Sequence, residues 1–257
     1  MKRYNNKKST ENKGFIDIYG FHAVKAALKN SRRKHLKLVV SESKKNFLTP
    51  KIKESVNEIM SLNNKEMLKL YGNENNHQGL ILTTSNLIQP SIQEIIKEAA
   101  KKEIEVVIML DHVNDPQNIG SIMRTCSLFN CSTIIVTKNN SPNITSTIAK
   151  AASGALEIVN FVKVANLCQT IKIFKKNNFW VFGLDGKNNV SKNLEDLPKK
   201  CLFVFGAEGK GLREKTSDEC DDLISIPINL KNNFNIDSLN VSNACSIILY
   251  EHFKKYK

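Results

Sequence analysis

Short apolar segments alternate with helical patterns through the second half of this 257-residue chain, and this alternation restricts the possible folds more than any other feature. Five apolar segments bounded by turn residues have the length of buried strands: 106–110, 134–137, 180–184, 202–205 and 223–226. Helical spacing separates several of them and is clearest from Val241 to the C-terminus. Strands that alternate with helices pair in parallel, so the second half is predicted to be an α/β domain with a largely parallel sheet covered on both faces.

The first half predicts a smaller α/β domain. Helical spacing follows Phe21, residues 36–40 and 80–84 resemble strands, and Ile52, Val56 and Ile59 predict one amphipathic helix over 50–62. Gln89-Pro90-Ser91 interrupts the pattern before a charged helix over 92–102. We therefore divide the chain into a basic flexible tail (1–14), a small N-terminal domain (15–88), a linker (89–103) and a C-terminal α/β domain (104–257).

The net charge of +13 is concentrated in the N-terminal part, because residues 1–103 carry +10 of it. Such asymmetry indicates that the N-terminal part binds a polyanion, and nucleic acid is the leading candidate. The alternative is that a lysine-rich composition only keeps the protein soluble.

The sequence shows neither a targeting segment nor a pattern of paired cysteines. No apolar run approaches the roughly 18 residues that span a bilayer, and the first residues do not resemble a signal peptide, so we expect a cytoplasmic protein without membrane contact. The six cysteines form no CxxC pair and mostly lie in or beside apolar runs. We interpret them as reduced core residues rather than disulfides or zinc ligands.

Polar residues after the strand at 106–110 form the first candidate motif. Asp115 is predicted to cap a helix that begins at Pro116, which leaves Asn118 in the first turn and Arg124 about two turns later. These residues follow the carboxyl end of a predicted strand, and ligands of open α/β sheets bind at the edge that the carboxyl ends of the strands form. Taken alone, Asn118 could serve only in capping and Arg124 could be a solvated helix charge.

Two further motifs follow later strands. Gly206-Ala-Glu208-Gly-Lys-Gly211 has the glycine order G-x-x-G-x-G, which differs from the dinucleotide fingerprint and lacks the P-loop Ser or Thr. Its glycines allow close approach of backbone to a ligand, although a plain tight turn is the alternative. Ile226-Pro227-Ile228 precedes Ser238-Leu-Asn240-Val-Ser242, where Ser238 or Asn240 could simply cap the last helix.

The three motifs in this order resemble the signature of the SpoU/TrmH family of RNA 2′-O-ribose methyltransferases. Three further segments also resemble this family: Ile18-Tyr-Gly-Phe-His-Ala-Val24, His77-Gln-Gly79 and Ser153-Gly-Ala-Leu-Glu157. The resemblance covers the chain from about residue 16 to its end. It is strongest to the two-domain branch that methylates a guanosine of 23S ribosomal RNA.

This resemblance implies that residues 15–88 form a ribosomal-protein-like, RNA-binding domain and that residues 104–257 form a catalytic domain whose C-terminus is threaded as a deep trefoil knot. It also implies a homodimer with the active site near the subunit interface, S-adenosylmethionine as cofactor, RNA as partner and no metal. Two rivals remain open: a transfer-RNA 2′-O-methyltransferase, and an RNA-binding ribosome-assembly factor without turnover.

Carried over motif by motif, the resemblance places Gly206, Ile226 and Leu239 at cofactor-binding positions. It places five residues at active-site positions: Asn118, Arg124, Glu208, Ser238 and Asn240. The family mechanism uses the arginine as base, but a guanidinium has a pKa above about 12. Our hypothesis is that Arg124 binds the target phosphate and polarises the hydroxyl, while Glu208 and Asn118 orient it.

One segment departs from the family pattern. Residues 229–237 are longer than usual and lack a glycine often found there. The local loop shape, and with it the placement of Ser238, therefore stays open at this point.

Overall fold

The structure is a computed structural model that describes residues 14–72, 77–139, 141–184, 194–228 and 238–257. The predicted basic tail up to residue 13 and the unusual loop at 229–237 lie outside the described residues. The chain divides into two compact units, Met1–Ile88 and Gln89–Lys257.

The N-terminal unit is a four-stranded mixed sheet with helices. Its elements in chain order are β1 (Phe15–Tyr19), α1 (Phe21–Lys29), β2 (His35–Ser41), a 3₁₀ turn (Glu42–Phe47), α2 (Pro50–Ser55), β3 (Val56–Leu62), α3 (Asn64–Tyr71) and β4 (Leu80–Ser85). The strand order is β1-β4-β2-β3, in which β4 is antiparallel to β1 and β2, and β2 is parallel to β3. Met67 packs against Val39 and Ile81. The predicted strands at 36–40 and 80–84 are confirmed.

The predicted helix over residues 50–62 is wrong in its second half. The helix α2 ends at Ser55, and Val56 to Leu62 form β3, which pairs in parallel with β2 so that Ile59 lies beside Leu38. Val56 and Ile59 fit a helical spacing, but both are β-branched and favour a strand when a neighbouring strand offers its backbone. That neighbour is supplied by the tertiary structure and not by the local pattern.

The C-terminal unit contains a six-stranded sheet. Its elements are α4 (Ile92–Ala100), β5 (Glu105–Leu110), α5 (Pro116–Leu128), β6 (Cys131–Thr137), α6 (Ser146–Ala152), a 3₁₀ turn (Ala155–Glu157), β7 (Asn160–Val164), α7 (Leu167–Lys176), β8 (Trp180–Leu184), a 3₁₀ turn (Leu194–Asp196), β9 (Lys200–Phe205), α8 (Glu214–Ser217), β10 (Asp222–Ile224) and α9 (Val241–Tyr256). The order is β10-β8-β9-β5-β6-β7, and every pairing is parallel. The parallel sheet is therefore confirmed, and β7 was not predicted.

The helix expected to connect the domains is part of this second unit. The hydroxyl of Ser91 and the carboxylate of Glu94 form a capping box at the start of α4. Ile92, Ile95 and Ala99 then pack in one buried cluster with side chains of the sheet and of α7. The segment 89–103 is thus better described as a core element than as a free linker.

The last helix lies against α5. The hydroxyls of Thr125 and Ser246 are 3.0 Å apart, and the ring of Phe129 contacts the rings of Tyr250 and Phe253. The contact between α9 and α5 joins the first and third sequence motifs.

Near the C-terminus, His252 Nε2 lies 2.9 Å from the carbonyl oxygen of Pro198, and burial lowers the pKa of this histidine.

Four of the six cysteines are buried, and Cys168 and Cys220 are partly buried. Burial raises the pKa of Cys220 to about 12, so this thiol stays protonated at neutral pH.

Among the described residues, no helix combines the length and apolar character needed to cross a membrane.

Candidate active site

The first motif begins helix α5 as predicted. The carboxylate of Asp115 accepts hydrogen bonds from the backbone N–H groups of Gln117 (3.2 Å) and Asn118 (3.1 Å), and Pro116 occupies the first helical position. Asn118 is only 9% exposed. The cap therefore fixes the backbone from which the Asn118 side chain projects.

The second motif forms a closed loop directly after β9. The backbone N–H of Gly211 donates to the carbonyl oxygen of Ala207 at 2.9 Å, and the two residues form an isolated β-bridge. A Cβ atom on Gly206 would lie 2.1 Å from the backbone carbon of Gly211 and 2.4 Å from the nitrogen of Leu212. Glycine at 206 therefore lets the two ends of the loop lie in contact.

Side chains from all three motifs meet at one point. The side-chain amide of Asn118 donates to Glu208 Oε1 at 2.9 Å. The side-chain amide of Asn240 donates to Glu208 Oε1 at 2.8 Å and to Asn118 Oδ1 at 3.0 Å. We call Asn118, Glu208 and Asn240 the amide–carboxylate cluster. Its members come from positions up to 122 residues apart in sequence.

The start of α9 orients Asn240 within this cluster. Asn240 caps the helix, and its Oδ1 accepts hydrogen bonds from the backbone N–H (2.9 Å) and the hydroxyl (2.6 Å) of Ser242. Because the oxygen is used by the cap, the NH₂ group must face Asn118 and Glu208. Capping and site formation are thus two roles of one side chain.

A cavity of about 600 Å³ lies beside the cluster, within the range of ordinary small-molecule sites, about 300–1,000 Å³. Six of the residues predicted from the motifs line it: Gly206, Glu208, Ile226, Ser238, Leu239 and Asn240. Several apolar lining residues were not predicted from the sequence, among them Leu184, Leu212, Ile224 and Ile228. For Leu184, Ile224 and Ile228, the available signal was their position at or soon after a strand end, because ligands bind at the carboxyl edge of parallel sheets.

Arg124 is the one predicted site residue that the structure does not bring to this cavity or to the cluster. It is exposed on α5, four residues before Leu128, whose side chain is 65% exposed. Residues four apart share one face of a helix, so Arg124 and Leu128 point the same way. Among the residues that the structure describes, its guanidinium has no hydrogen-bond or ion-pair partner.

No group of three or more His, Cys, Asp or Glu side chains arranged to hold a metal ion occurs in the described parts of the chain.

Two family models match this chain. The SpoU rRNA Methylase family matches residues 105–250, and the RNA 2′-O ribose methyltransferase substrate binding family matches residues 18–90. Together they cover both compact units.

Curated relatives match along nearly the whole chain. A 23S rRNA (guanosine-2′-O-)-methyltransferase RlmB of Photorhabdus laumondii is 32% identical over 237 residues, which cover 91% of this chain and 96% of the relative. The protein of the same name from Vibrio cholerae is 32% identical over 240 residues, covering 91% and 94%.

The fold is also found among solved structures. An AdoMet-bound rRNA methyltransferase from Sinorhizobium meliloti superposes with a TM-score of 0.77 at 21% identity, covering 96% of this chain and 89% of the other. At this identity, the likeness supports the fold alone.

Proposed function

The chain belongs to the SpoU rRNA methylase family, and from that premise we propose that it transfers a methyl group from S-adenosylmethionine to the ribose 2′-hydroxyl of a guanosine in 23S ribosomal RNA. The observation that carries the proposal is the convergence of the three motifs around one cavity with the amide–carboxylate cluster beside it. The curated relatives support ribosomal RNA as the substrate because they match over both units of the chain.

The cavity residues fit S-adenosylmethionine. Apolar side chains from strand ends and from the last loop can pack against an adenine ring, and the glycine-containing loop exposes backbone groups that can bind polar edges. We assign Gly206, Ile226 and Leu239 to this role. When bound, the cofactor supplies an electrophilic methyl group.

The cluster provides a place for the target hydroxyl. Oε1 of Glu208 accepts two hydrogen bonds from Asn118 and Asn240, whereas Oε2 has no partner among the described residues. A carboxylate oxygen held in this way can accept a hydrogen bond from a ribose hydroxyl and orient it. We propose that Glu208, Asn118 and Asn240 orient the hydroxyl, that Ser238 contributes from the cavity wall, and that Arg124 binds the adjacent phosphate and polarises the hydroxyl oxygen.

The position of Arg124 is consistent with an active site near a dimer interface. It lies on an exposed face with Leu128, and α9, which packs beside α5, exposes Ile247 and Tyr250. Exposed apolar side chains on two neighbouring helices are typical of subunit contacts. We propose that this face forms a homodimer and that Arg124 reaches the reacting ribose at the interface.

The dimer proposal predicts that Leu128→Glu combined with Tyr250→Glu converts the protein to a monomer, because the substitutions place charges at an apolar contact. Size-exclusion chromatography with light scattering measures the mass. Leu68→Glu is the matched control, since Leu68 is 61% exposed in the other unit and should leave the dimer intact. A dimer that survives the double substitution would contradict the proposal.

The N-terminal unit is proposed to be a ribosomal-protein-like domain that supplies most of the electrostatic RNA affinity. We expect RNA affinity to fall with salt, and we expect removal of residues 1–88 to flatten the slope of log K against log[salt]. The truncation point is 88 rather than 103 because α4 belongs to the core of the second unit. Filter binding at four salt concentrations measures the slope, and an unchanged slope would contradict this assignment.

Two finer features complete the proposal. We propose that the C-terminal segment is threaded as a deep trefoil knot, which is supported by the insertion of β9 between β8 and β5 and by the return of α9 to α5. A crystal structure that traces the segments 185–193 and 229–237 tests the knot.

We also propose a cytoplasmic location, where ribosomal RNA is modified.

The proposed function is tested by mapping 2′-O-methylation on RNA from cells with and without the gene. Loss of one 23S guanosine methylation is the expected result. Loss on transfer RNA instead would identify the rival substrate. No change, together with no heat on titration of the purified protein with S-adenosylmethionine, would indicate an RNA-binding factor without turnover.

A further inference from the structure

Asp111, which follows β5 directly, is a buried carboxylate outside the amide–carboxylate cluster. Its side chain is 0% exposed. Burial of a carboxylate is costly unless a cation and hydrogen bonds compensate for the lost hydration. The partners of Asp111 therefore indicate why an acidic residue is placed there.

Asp111 is connected to both ends of the loop that carries Glu208. Its backbone N–H donates to the carbonyl oxygen of Phe205 at 2.8 Å, and Phe205 immediately precedes Gly206. Its carboxylate accepts a hydrogen bond from Arg213 Nε at 3.0 Å, and Arg213 Nη2 lies 2.8 Å from the other oxygen, Oδ1, in an ion-pair contact that lacks hydrogen-bond geometry. Arg213 immediately follows Leu212. One residue thus holds the entrance and the exit of the loop.

The contact with Arg213 is geometrically restrictive. A guanidinium that donates to one carboxylate oxygen and lies in ion-pair contact with the other is restricted in distance and in orientation, because its donors form a rigid planar fork. Between the two anchors, residues 206–212 line the cavity, and Glu208 lies in hydrogen-bond contact with Asn118 and Asn240. A shift of the exit anchor would therefore displace both the cavity wall and the carboxylate.

We infer that Asp111 and Arg213 are a positioning pair for the methyl transfer, which holds the loop so that Glu208 meets the target hydroxyl and residues 206–212 meet the cofactor. The inference rests on the proposed function. It goes beyond that function by assigning a role to two residues to which the family resemblance gave none. A purely structural ion pair would stabilise the unit without acting through Glu208.

The informative variant is Arg213→Lys, because lysine keeps the charge beside the buried carboxylate but cannot contact both oxygens through a rigid fork. Small misplacements of catalytic groups are costly, so we expect kcat at saturating RNA to fall about 10- to 100-fold. We also expect a weaker affinity for S-adenosylmethionine in titration calorimetry. Lys172→Met is the matched control: it removes an ion pair with Glu219 (2.9 Å) in the same unit that involves no residue of 206–213, and it should leave both quantities unchanged.

Two further readouts separate positioning from stabilisation. In a Glu208→Gln background, Arg213→Lys should lower kcat less than about threefold, because residues that act as a unit are strongly non-additive. Amide hydrogen exchange should accelerate in peptides from 206–212 and stay unchanged in β5. If Arg213→Lys also unfolds β5, the uncharged pair Asp111→Asn with Arg213→Gln replaces it, with the same expected loss of kcat.

The inference is overturned if Arg213→Lys keeps wild-type kcat and cofactor affinity, or if its effect is equally large with and without the Glu208 carboxylate. Failure of the proposed function has a different signature, since the unmodified protein would then neither bind S-adenosylmethionine nor methylate RNA.

Discussion

Gly206→Ala is expected to abolish detectable binding of S-adenosylmethionine and to lower the free energy of unfolding by about 1–3 kcal/mol, the usual range for overpacking. The added Cβ would lie 2.1 Å from the backbone carbon and 2.2 Å from the carbonyl oxygen of Gly211. Backbone cannot rotate away as a flexible side chain can, so the loop must open. Opening it moves the cavity wall from Gly206 to Leu212. Titration calorimetry and urea unfolding measure the two effects.

Gly209→Ala is the matched control for this prediction. A Cβ at Gly209 meets no atom within 4 Å, although its φ of +75° makes alanine strained by about 1 kcal/mol. We therefore expect similar or smaller destabilisation with cofactor binding retained. Cofactor affinity close to that of the unsubstituted protein in Gly206→Ala would show that close packing of the loop ends is not required for the site.

Arg124→Ala is expected to lower kcat/KM for RNA by about 10²–10³-fold, comparable to removing one preorganised electrostatic donor from an active site. The guanidinium has no partner among the described residues, so its removal should barely change stability. The free energy of unfolding is the internal control. Single-turnover kinetics measure the loss, and activity within a few-fold of the unsubstituted protein would contradict a catalytic role for Arg124.

Arg124→Lys distinguishes positioning from proton abstraction. If the arginine binds phosphate and polarises the hydroxyl, lysine should retain turnover at saturating RNA, raise KM and leave the pH–rate profile unchanged. Abolished chemistry at saturating RNA would count against positioning. A basic limb that moves toward the ordinary lysine pKa of about 10.4 would identify the side chain itself as the proton acceptor.

Local signals in the sequence predicted the elements that carry the site. Asp115 before Pro116 marks a helix start for local reasons. The carboxylate accepts hydrogen bonds from free backbone N–H groups of the first turn, and a proline at the first position has no N–H group that needs a partner. Asn240 marks the start of α9 because its side chain likewise accepts a hydrogen bond from a backbone N–H group of the first turn. Five of the six strands of the C-terminal sheet were predictable because burial on both faces makes each of them a mainly apolar run, whereas β7 was missed because Asn160 and Lys163 interrupt its apolar residues.

Features that depend on distant partners were not predictable from local pattern. Val56 to Leu62 form a strand only because β2 lies beside them, and α4 is a core helix only because the sheet offers an apolar face. The amide–carboxylate cluster joins residues 90 and 122 positions apart, and the motif resemblance suggested its members without giving their contacts. The pairing of Asp111 with Arg213 had no sequence signal beyond their positions after a strand and after a glycine loop.

The cavity and the adjacent cluster are proposed to bring a sulfonium methyl group to a ribose 2′-oxygen. Transfer of a tritiated methyl group from S-adenosylmethionine to unmodified 23S ribosomal RNA, followed by nucleoside analysis, measures this reaction itself. We expect label in 2′-O-methylguanosine at one position, with loss of label in Glu208→Ala and Asn240→Ala. Label on a nucleobase, or unchanged labelling in both variants, would contradict this proposal.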